Sequence, residues 1–232
     1  MDVNDIINII DQQDEILLSE KIDILNIMFL TIDINTTTID DKENSFLHYC
    51  IINNNYEITE YLLDKGINSN IQNKNGETAL LMASRKGYFR FVKLLLQYGA
   101  NPDIYEKNGQ DSPLLWASYY GHLEIVIFLI ENGANPYHKY RDGRDAIRWA
   151  VRENHYLIVD YLLQYLKDLL YRDIYSETIM DMKTNYDIKS LLNSWIEKNN
   201  LSVIHYFINN QNEITEYKLV EIIGNYYYSD FL

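Results

Sequence analysis

The segment Gly76 to Ala83 reads G-E-T-A-L-L-M-A, and its relatives recur down the chain at an almost fixed interval. They are E-N-S-F-L-H-Y-C at Glu43 to Cys50, G-Q-D-S-P-L-L-W-A at Gly109 to Ala117 and G-R-D-A-I-R-W-A at Gly143 to Ala150. Gly66, Gly99 and Gly133 stand 33 and 34 residues apart, and Gly76, Gly109 and Gly143 repeat the same two intervals. The extra residue falls between Gln110 and Asp111. A period of this length is that of one small turn-plus-two-helix unit, which cannot hide its own apolar face and must stack on its neighbours.

Within each unit the residue types follow from helix chemistry. Ser45, Thr78, Ser112 and Asp145 share one position, where a short side-chain oxygen can accept from the unpaired amides that open a helix. Pro113 follows Ser112, at the first helical position, where no amide hydrogen is needed. Asn54, Gly87, Gly121 and Asn154 mark the end of the first helix, and glycine and asparagine are the residues that best tolerate a positive backbone angle there. A second apolar helix follows in each unit, at Glu57 to Leu63, Arg90 to Leu96, Glu124 to Ile130 and Leu157 to Leu163. The loop signals G-I-N-S, G-A-N-P and G-A-N-P close the units at Gly66, Gly99 and Gly133. Leu47, Leu80, Leu114 and Ile147 are the expected core of the first helices, and Cys50, Ala83, Ala117 and Ala150 the small residues that let neighbouring helices approach. Cys50 is therefore read as packing rather than as a nucleophile.

The segments S-P-L-L-W-A, G-H-L-E-I-V-I-F-L-I and G-A-N-P resemble the three signature segments of the ankyrin repeat in order and distance. The resemblance covers residues 41–163 strongly and the ends weakly. It implies an all-α solenoid of about four stacked units with short finger turns. Residues 1–40 are expected to hold degenerate capping helices, with Asp23 to Leu30 and D-I-N at Asp33 to Asn35 as the second helix and exit loop of an eroded unit. Residues 164–232 are expected to hold an irregular helical insertion, a diverged repeat at Asn199 to Ile208 and a helical cap. Ile, Asn, Asp, Lys and Tyr are heavily used, as AT-rich genomes encode, and the repeats resemble those of large DNA viruses or AT-rich protists.

Several function classes are disfavoured. A net charge of −14 works against nonspecific attraction to nucleic acid or anionic membranes. One cysteine supports no internal disulfide framework and suits a reducing compartment. The first residues carry acids where a secretory leader needs positive charge, and no apolar run approaches a bilayer span, so a cytoplasmic monomer is expected. His48, His122, His138, His155 and His205 are scattered along the chain, with His48 and His122 at positions where the family carries histidine for local hydrogen bonding. No paired-cysteine, H-E-x-x-H or phosphate-loop motif occurs, so neither catalysis, metal nor cofactor is expected.

Binding remains, and the resemblance places it on the finger turns and the exposed side of the first helices. By register the candidate partner-binding residues are Lys74, Asn75, Glu77, Arg85 and Lys86, then Lys107, Asn108, Gln110, Tyr119 and Tyr120, then Arg141, Asp142, Arg144, Arg152 and Glu153. Tyr119 and Tyr120 offer two rings at one helix end, suited to an interface anchor, unless one packs on the neighbouring unit. Arg141, Arg144, Arg148 and Arg152 gather in the fourth unit and either clamp an acidic peptide or pair with the chain's own Asp142, Asp145 and Glu153. The expected role is a non-catalytic protein-binding module. The alternative is an adaptor that brings a bound target to other machinery, such as a ubiquitin ligase, through residues 164–232.

Overall fold

The computed structural model describes residues 7–8, 18–28, 30, 32–36, 38–107, 111–166, 179 and 182–198. The chain divides into two compact units, residues 1–185 and 186–232. In the first unit the described helices are α1 (Leu18–Met28), α2 (Phe46–Ile52), α3 (Tyr56–Asp64), α4 (Ala79–Lys86), α5 (Phe89–Gln97), α6 (Pro113–Tyr120), α7 (Leu123–Glu131), α8 (Ala146–Arg152) and α9 (Tyr156–Leu162). A 3-10 turn at Leu163–Tyr165 extends α9. In the second unit α10 (Tyr186–Lys198) buries Ile188, Leu192 and Ile196, a stripe with helical spacing. The expected diverged repeat at 199–208, most of the insertion at 165–182 and most of the first seventeen residues lie outside the described residues.

The four repeats start and stop where their capping chemistry requires. Ser45, Thr78, Ser112 and Asp145 each hold extended backbone and accept, through the side chain, the amide hydrogen three residues on, at His48, Leu81, Leu115 and Arg148. Losing such a cap costs about 1 kcal/mol. Gly87 and Gly121 end α4 and α6 at φ 75° and 80°, and Asn54 and Asn154 take φ 55° and 61° at the equivalent points. The chain reverses there into the second helix of the pair. No strand is present among the described residues.

First helices pack on first helices (α2 on α4, α4 on α6, α6 on α8) and second helices on second helices (α3 on α5, α5 on α7, α7 on α9). Cys50, Ala83, Ala117 and Ala150 are fully buried along one register, as close helix approach demands. Leu47, Leu80, Leu114 and Ile147 are buried beside them.

Three polar ladders tie successive units together. In the finger turns the Lys74 amide donates to the Lys42 carbonyl at 2.9 Å and the Lys107 amide to the Asn75 carbonyl at 2.8 Å. In the exit loops Asn35, Asn70 and Asp103 accept through Oδ1 from the amides of Asn68, Asn101 and Asn135, at 2.7, 2.7 and 2.9 Å. This fixes the register of the eroded first loop. Asp33 accepts from Asn35 as Asn68 does from Asn70 and Asn101 from Asp103, so Asp33, not Asn35, stands where Asn68 stands. The D-I-N and G-I-N segments are thus offset by two residues rather than superposed.

The third ladder is made by histidine and goes beyond the expected local bonding, which His48 also makes. His48 Nε2 donates to the Glu77 carbonyl at 2.9 Å, His122 Nε2 to the Arg85 carbonyl at 3.3 Å and His155 Nε2 to the Tyr119 carbonyl at 2.8 Å. All three reach into a neighbouring unit, and His48 Nδ1 in addition accepts locally from the Ser45 amide at 3.2 Å. A Cβ on Gly87 would lie 2.6 Å from the His122 ring, and one on Gly121 2.6 Å from the His155 ring. Where the next unit carries Tyr88 instead of histidine, the turn residue is Asn54.

Gly121→Ala is expected to destabilise the array by more than the roughly 1–2 kcal/mol of a left-handed alanine, because the His155 ring must also move. Urea unfolding of this variant against wild type measures it. Burial pushes the pKa of His48 down, outweighing the Glu77 carbonyl and carboxylate that favour its charge. Below about pH 6.5 the unfolded chain takes up a proton at this residue that the native chain resists. Stability therefore falls as pH drops through that value, and the fall should be shallower in His48→Gln, read from urea unfolding across pH 5 to 8.

Candidate interaction surface

The finger turns and the ends of the first helices lie on one side of the stack, held by the ladders above. Of the candidate residues, Lys74, Asn75, Lys86, Lys107, Tyr120, Arg141 and Arg152 are exposed. Arg85, Tyr119 and Glu153 are half-buried. Asn108 and Gln110 lie outside the described residues.

Glu77, Asp142 and Arg144 are not on the surface, contrary to the expectation from register. Each is buried, and the reason is positional. Glu77 and Arg144 directly precede a helix cap, a position shared with the buried Asn44, so the chain turning into the helix carries their side chains under the finger. Glu77 is held there by Asn73 Nδ2 at 3.0 Å and by Arg85 at 2.7 Å, while Asn73 Nδ2 also reaches Asn44 Oδ1 at 2.9 Å. Burial alone would raise the Glu77 pKa, but the Asn73 amide and the Arg85 guanidinium outweigh it and hold the carboxyl below its ordinary range.

Of the four arginines in the fourth unit, Arg144 and Arg148 are turned inward, whereas Arg141 and Arg152 stay exposed. Arg144 pairs with Asp142 at 3.2 Å, Arg148 with Asp145 at 2.6 Å and Arg152 with Glu153 at 3.7 Å. Arg148 is almost wholly buried, so it cannot reach a ligand, and its charge serves the carboxylate that caps its own helix. Arg144 and Arg148 thus pair with the chain's own carboxylates, the second of the two expectations for this cluster.

What this side presents instead is aromatic. Tyr119 packs edge-on against Trp149 of the next unit, centroids 5.2 Å apart, while Tyr120 stays 47% exposed and stacks on Trp116 at 5.7 Å. Tyr140, from the following finger, meets Trp149 edge-on at 6.2 Å. These rings and Asp111 line a recess of about 280 Å³ between α6 and α8, floored by Leu115. Arg85 lies over Trp116 and Arg152 over Trp149, at 5.5 and 5.1 Å. Burial pushes the Asp111 pKa up to about 8, helped by its hydrogen bond to Glu106 and by the charges of Glu106 and Asp142. Register reasoning missed Trp116, Trp149, Tyr140 and Asp111. The available signal was that the two tryptophans occupy one repeat position in adjacent units, where the earlier units carry Tyr49 and Met82.

A stack of helical hairpins joined by such ladders is a repeat solenoid. Residues 16–106 and 99–173 match the family model for ankyrin repeats (3 copies), more than half of the chain, and the chain belongs to that family. An ankyrin repeat protein of Acanthamoeba polyphaga mimivirus is 39% identical over 69 residues, 30% of this chain and 17% of that protein. A second from the same virus is 43% identical over 61 residues, 26% of this chain and 38% of that protein. Ankyrin repeat and SOCS box protein 2 of Homo sapiens is 39% identical over 66 residues, 28% of this chain and 10% of that protein. The matched segments thus span well under half the length of each of these relatives. Repeats of this family generally mediate protein-protein interaction and are typically not enzymatic. No helix among the described residues is long and apolar enough to cross a membrane.

Arg148→Ala leaves the Asp145 carboxylate buried without its partner, and should cost about 3–5 kcal/mol. Thermal unfolding checks it. The paired replacement Asp145→Ser with Arg148→Leu should recover most of the loss, since serine still caps α8.

Proposed function

We propose that this chain is a non-catalytic interaction module that holds a protein partner on the face formed by its finger turns and first-helix ends, centred on the third and fourth repeats. The observation that carries this reading is the aromatic recess between α6 and α8, whose rings remain accessible beside a core already filled by Leu114, Leu115 and Ala117. Half-exposed Trp and Tyr are the residue types that supply most interface energy, and a rigid stack loses little entropy on binding. Exposed Lys74, Lys86, Lys107, Arg141 and Arg152 form the polar rim of this face. We place the module in the cytoplasm, acting as a monomer.

A second reading makes it an adaptor that presents the bound protein to other machinery through its C-terminal part. It draws on the separate compact unit at residues 186–232 and on the relative named for a SOCS box. Removal of residues 186–232 separates the two: an adaptor keeps its target and loses a second partner, whereas a plain binding module loses neither.

Tyr120→Ala with Arg152→Ala should weaken capture of the partner by at least about tenfold while shifting thermal unfolding little, because both side chains are exposed. Leu114→Ala should do the reverse, costing about 2–5 kcal/mol of stability with the affinity of the folded fraction kept. Unchanged capture by the double variant overturns the placement of the site.

A further inference from the structure

The recess between α6 and α8 has a chemistry more specific than an apolar groove. Its rings stand at several angles to one another. Trp116 and Tyr120 are nearly parallel at 19°, Tyr119 stands at 83° to Tyr120 and at 72° to Trp149, and Tyr140 stands at 65° to Trp149. A planar group such as guanidinium is best held between parallel faces, and the chain already sets guanidinium groups of its own on these rings, Arg85 on Trp116 and both Arg144, at 5.6 Å, and Arg152 on Trp149. Rings set at wide angles around a volume of about 280 Å³ instead suit a compact, near-spherical group. Ring faces carry negative potential, so they favour a cation at the centre.

The charges around the recess point the same way. The arginines that lie over these rings are each matched to a carboxylate of the chain, Arg85 to Glu77, Arg144 to Asp142 and Arg152 to Glu153. Asp111 forms no ion pair with Arg or Lys among the described residues, and its neighbour is the second acid Glu106. This carboxyl pair with aromatic walls, in a chain of net charge −14, feels the Arg85 charge only at a distance and has no ion-pair partner of its own among the described residues. A bare ammonium is strongly hydrated and loses much on entering such walls, whereas N-methyl groups spread the charge and add apolar contact.

We infer that this recess binds the N-methylated ammonium head of a lysine carried by the protein partner, an inference that rests on reading this face as partner-binding. Trp116, Tyr119, Tyr120, Tyr140 and Trp149 supply the ring faces, and Asp111 supplies the counter-charge. Binding is then linked to a proton. Asp111, whose carboxyl is pushed up to about 8, faces Glu106 and Asp142 of the fingers, the Tyr140 hydroxyl, which Arg141 also faces, and, from α4, the Arg85 guanidinium that opposes the upward push. A cation in the recess favours the ionised acid, so affinity rises as pH increases through that value.

The test uses the full chain, choline as the methylammonium probe and 3,3-dimethylbutan-1-ol as its uncharged carbon isostere, read by tryptophan fluorescence and by the indole N–H resonances of Trp116 and Trp149. Choline should bind at least about tenfold tighter than the isostere, and tighter at pH 9 than at pH 6. Tyr120→Ala should lose this preference and Tyr120→Phe keep it. Asp111→Asn should weaken choline and flatten the pH dependence, with circular dichroism confirming that each variant is folded. A short peptide with one trimethyllysine should bind more tightly than the same peptide with lysine or with arginine at that position. Equal binding of choline and the isostere, absence of saturable binding by choline, or preference for the arginine peptide each overturns the inference. Choline reports on the recess without any partner. If it binds as expected but does not compete with the captured protein, the chemistry of the recess stands and its assignment to the partner's lysine falls. If the Tyr120→Ala, Arg152→Ala variant keeps its partner, the reading of the face falls by itself.

Discussion

Each hairpin in this chain exposes an apolar side that only the next hairpin can cover, and every other feature is subordinate to that nearest-neighbour burial. Alanine or cysteine at one register and leucine or isoleucine at another recur because the gap between adjacent first helices admits nothing else at native packing density. Stability is therefore distributed as a sum over interfaces, with no single central core. The positions outside those interfaces are free of the constraint, and there the units differ. Lys86, Tyr120 and Glu153 occupy one register at the end of the first helices, one cationic, one aromatic and one acidic.

Packing alone leaves the units free to slide, and the polar ladders remove that freedom. A histidine ring that reaches a carbonyl of another unit fixes both the distance and the rotation between neighbours. The price is a bare backbone beneath the ring, which is why Gly87 lies under His122 and Gly121 under His155. Asparagine suffices where Tyr88 replaces the histidine, and Asn154 accepts instead from the Thr184 hydroxyl and the Asn185 amide, both at 2.9 Å. The identity of a turn residue is thus set partly by the unit that follows it.

This explains what the sequence disclosed and what it withheld. Helix starts at Ser45, Thr78, Ser112 and Asp145 and reversals at Asn54, Gly87, Gly121 and Asn154 are decided by residues within a few positions of each event, so they are legible one unit at a time. Burial of Glu77, Asp142 and Arg144 is decided by how a finger folds over its own helix start, and register alone gave the opposite impression. The two-residue offset of Asp33 against the later loops shows only in which amide each side chain accepts. The arginines illustrate the same limit, since four cations close in sequence say nothing about which carboxylate each will meet. Trp116 and Trp149 were readable as one register in adjacent units, yet each alone passes for a core residue.

The recess formed by those two tryptophans belongs to neither unit alone. Trp116, Tyr119 and Tyr120 come from α6, Trp149 from α8, and Asp111 and Tyr140 from the finger segments before them, so the site exists only while the third and fourth repeats are stacked. That makes the interface that stabilises the array also the frame that sets the ring angles. Because the stack is held by buried apolar contacts and by His155 reaching the Tyr119 carbonyl, the rings are positioned before any ligand arrives and the ordering cost is met in folding. It also explains why the local arginines carry their own carboxylates. Unpaired, Arg85, Arg144 and Arg152 would fill the field of the rings they lie over, and only with those charges neutralised from within does the recess keep an unmet demand for a cation.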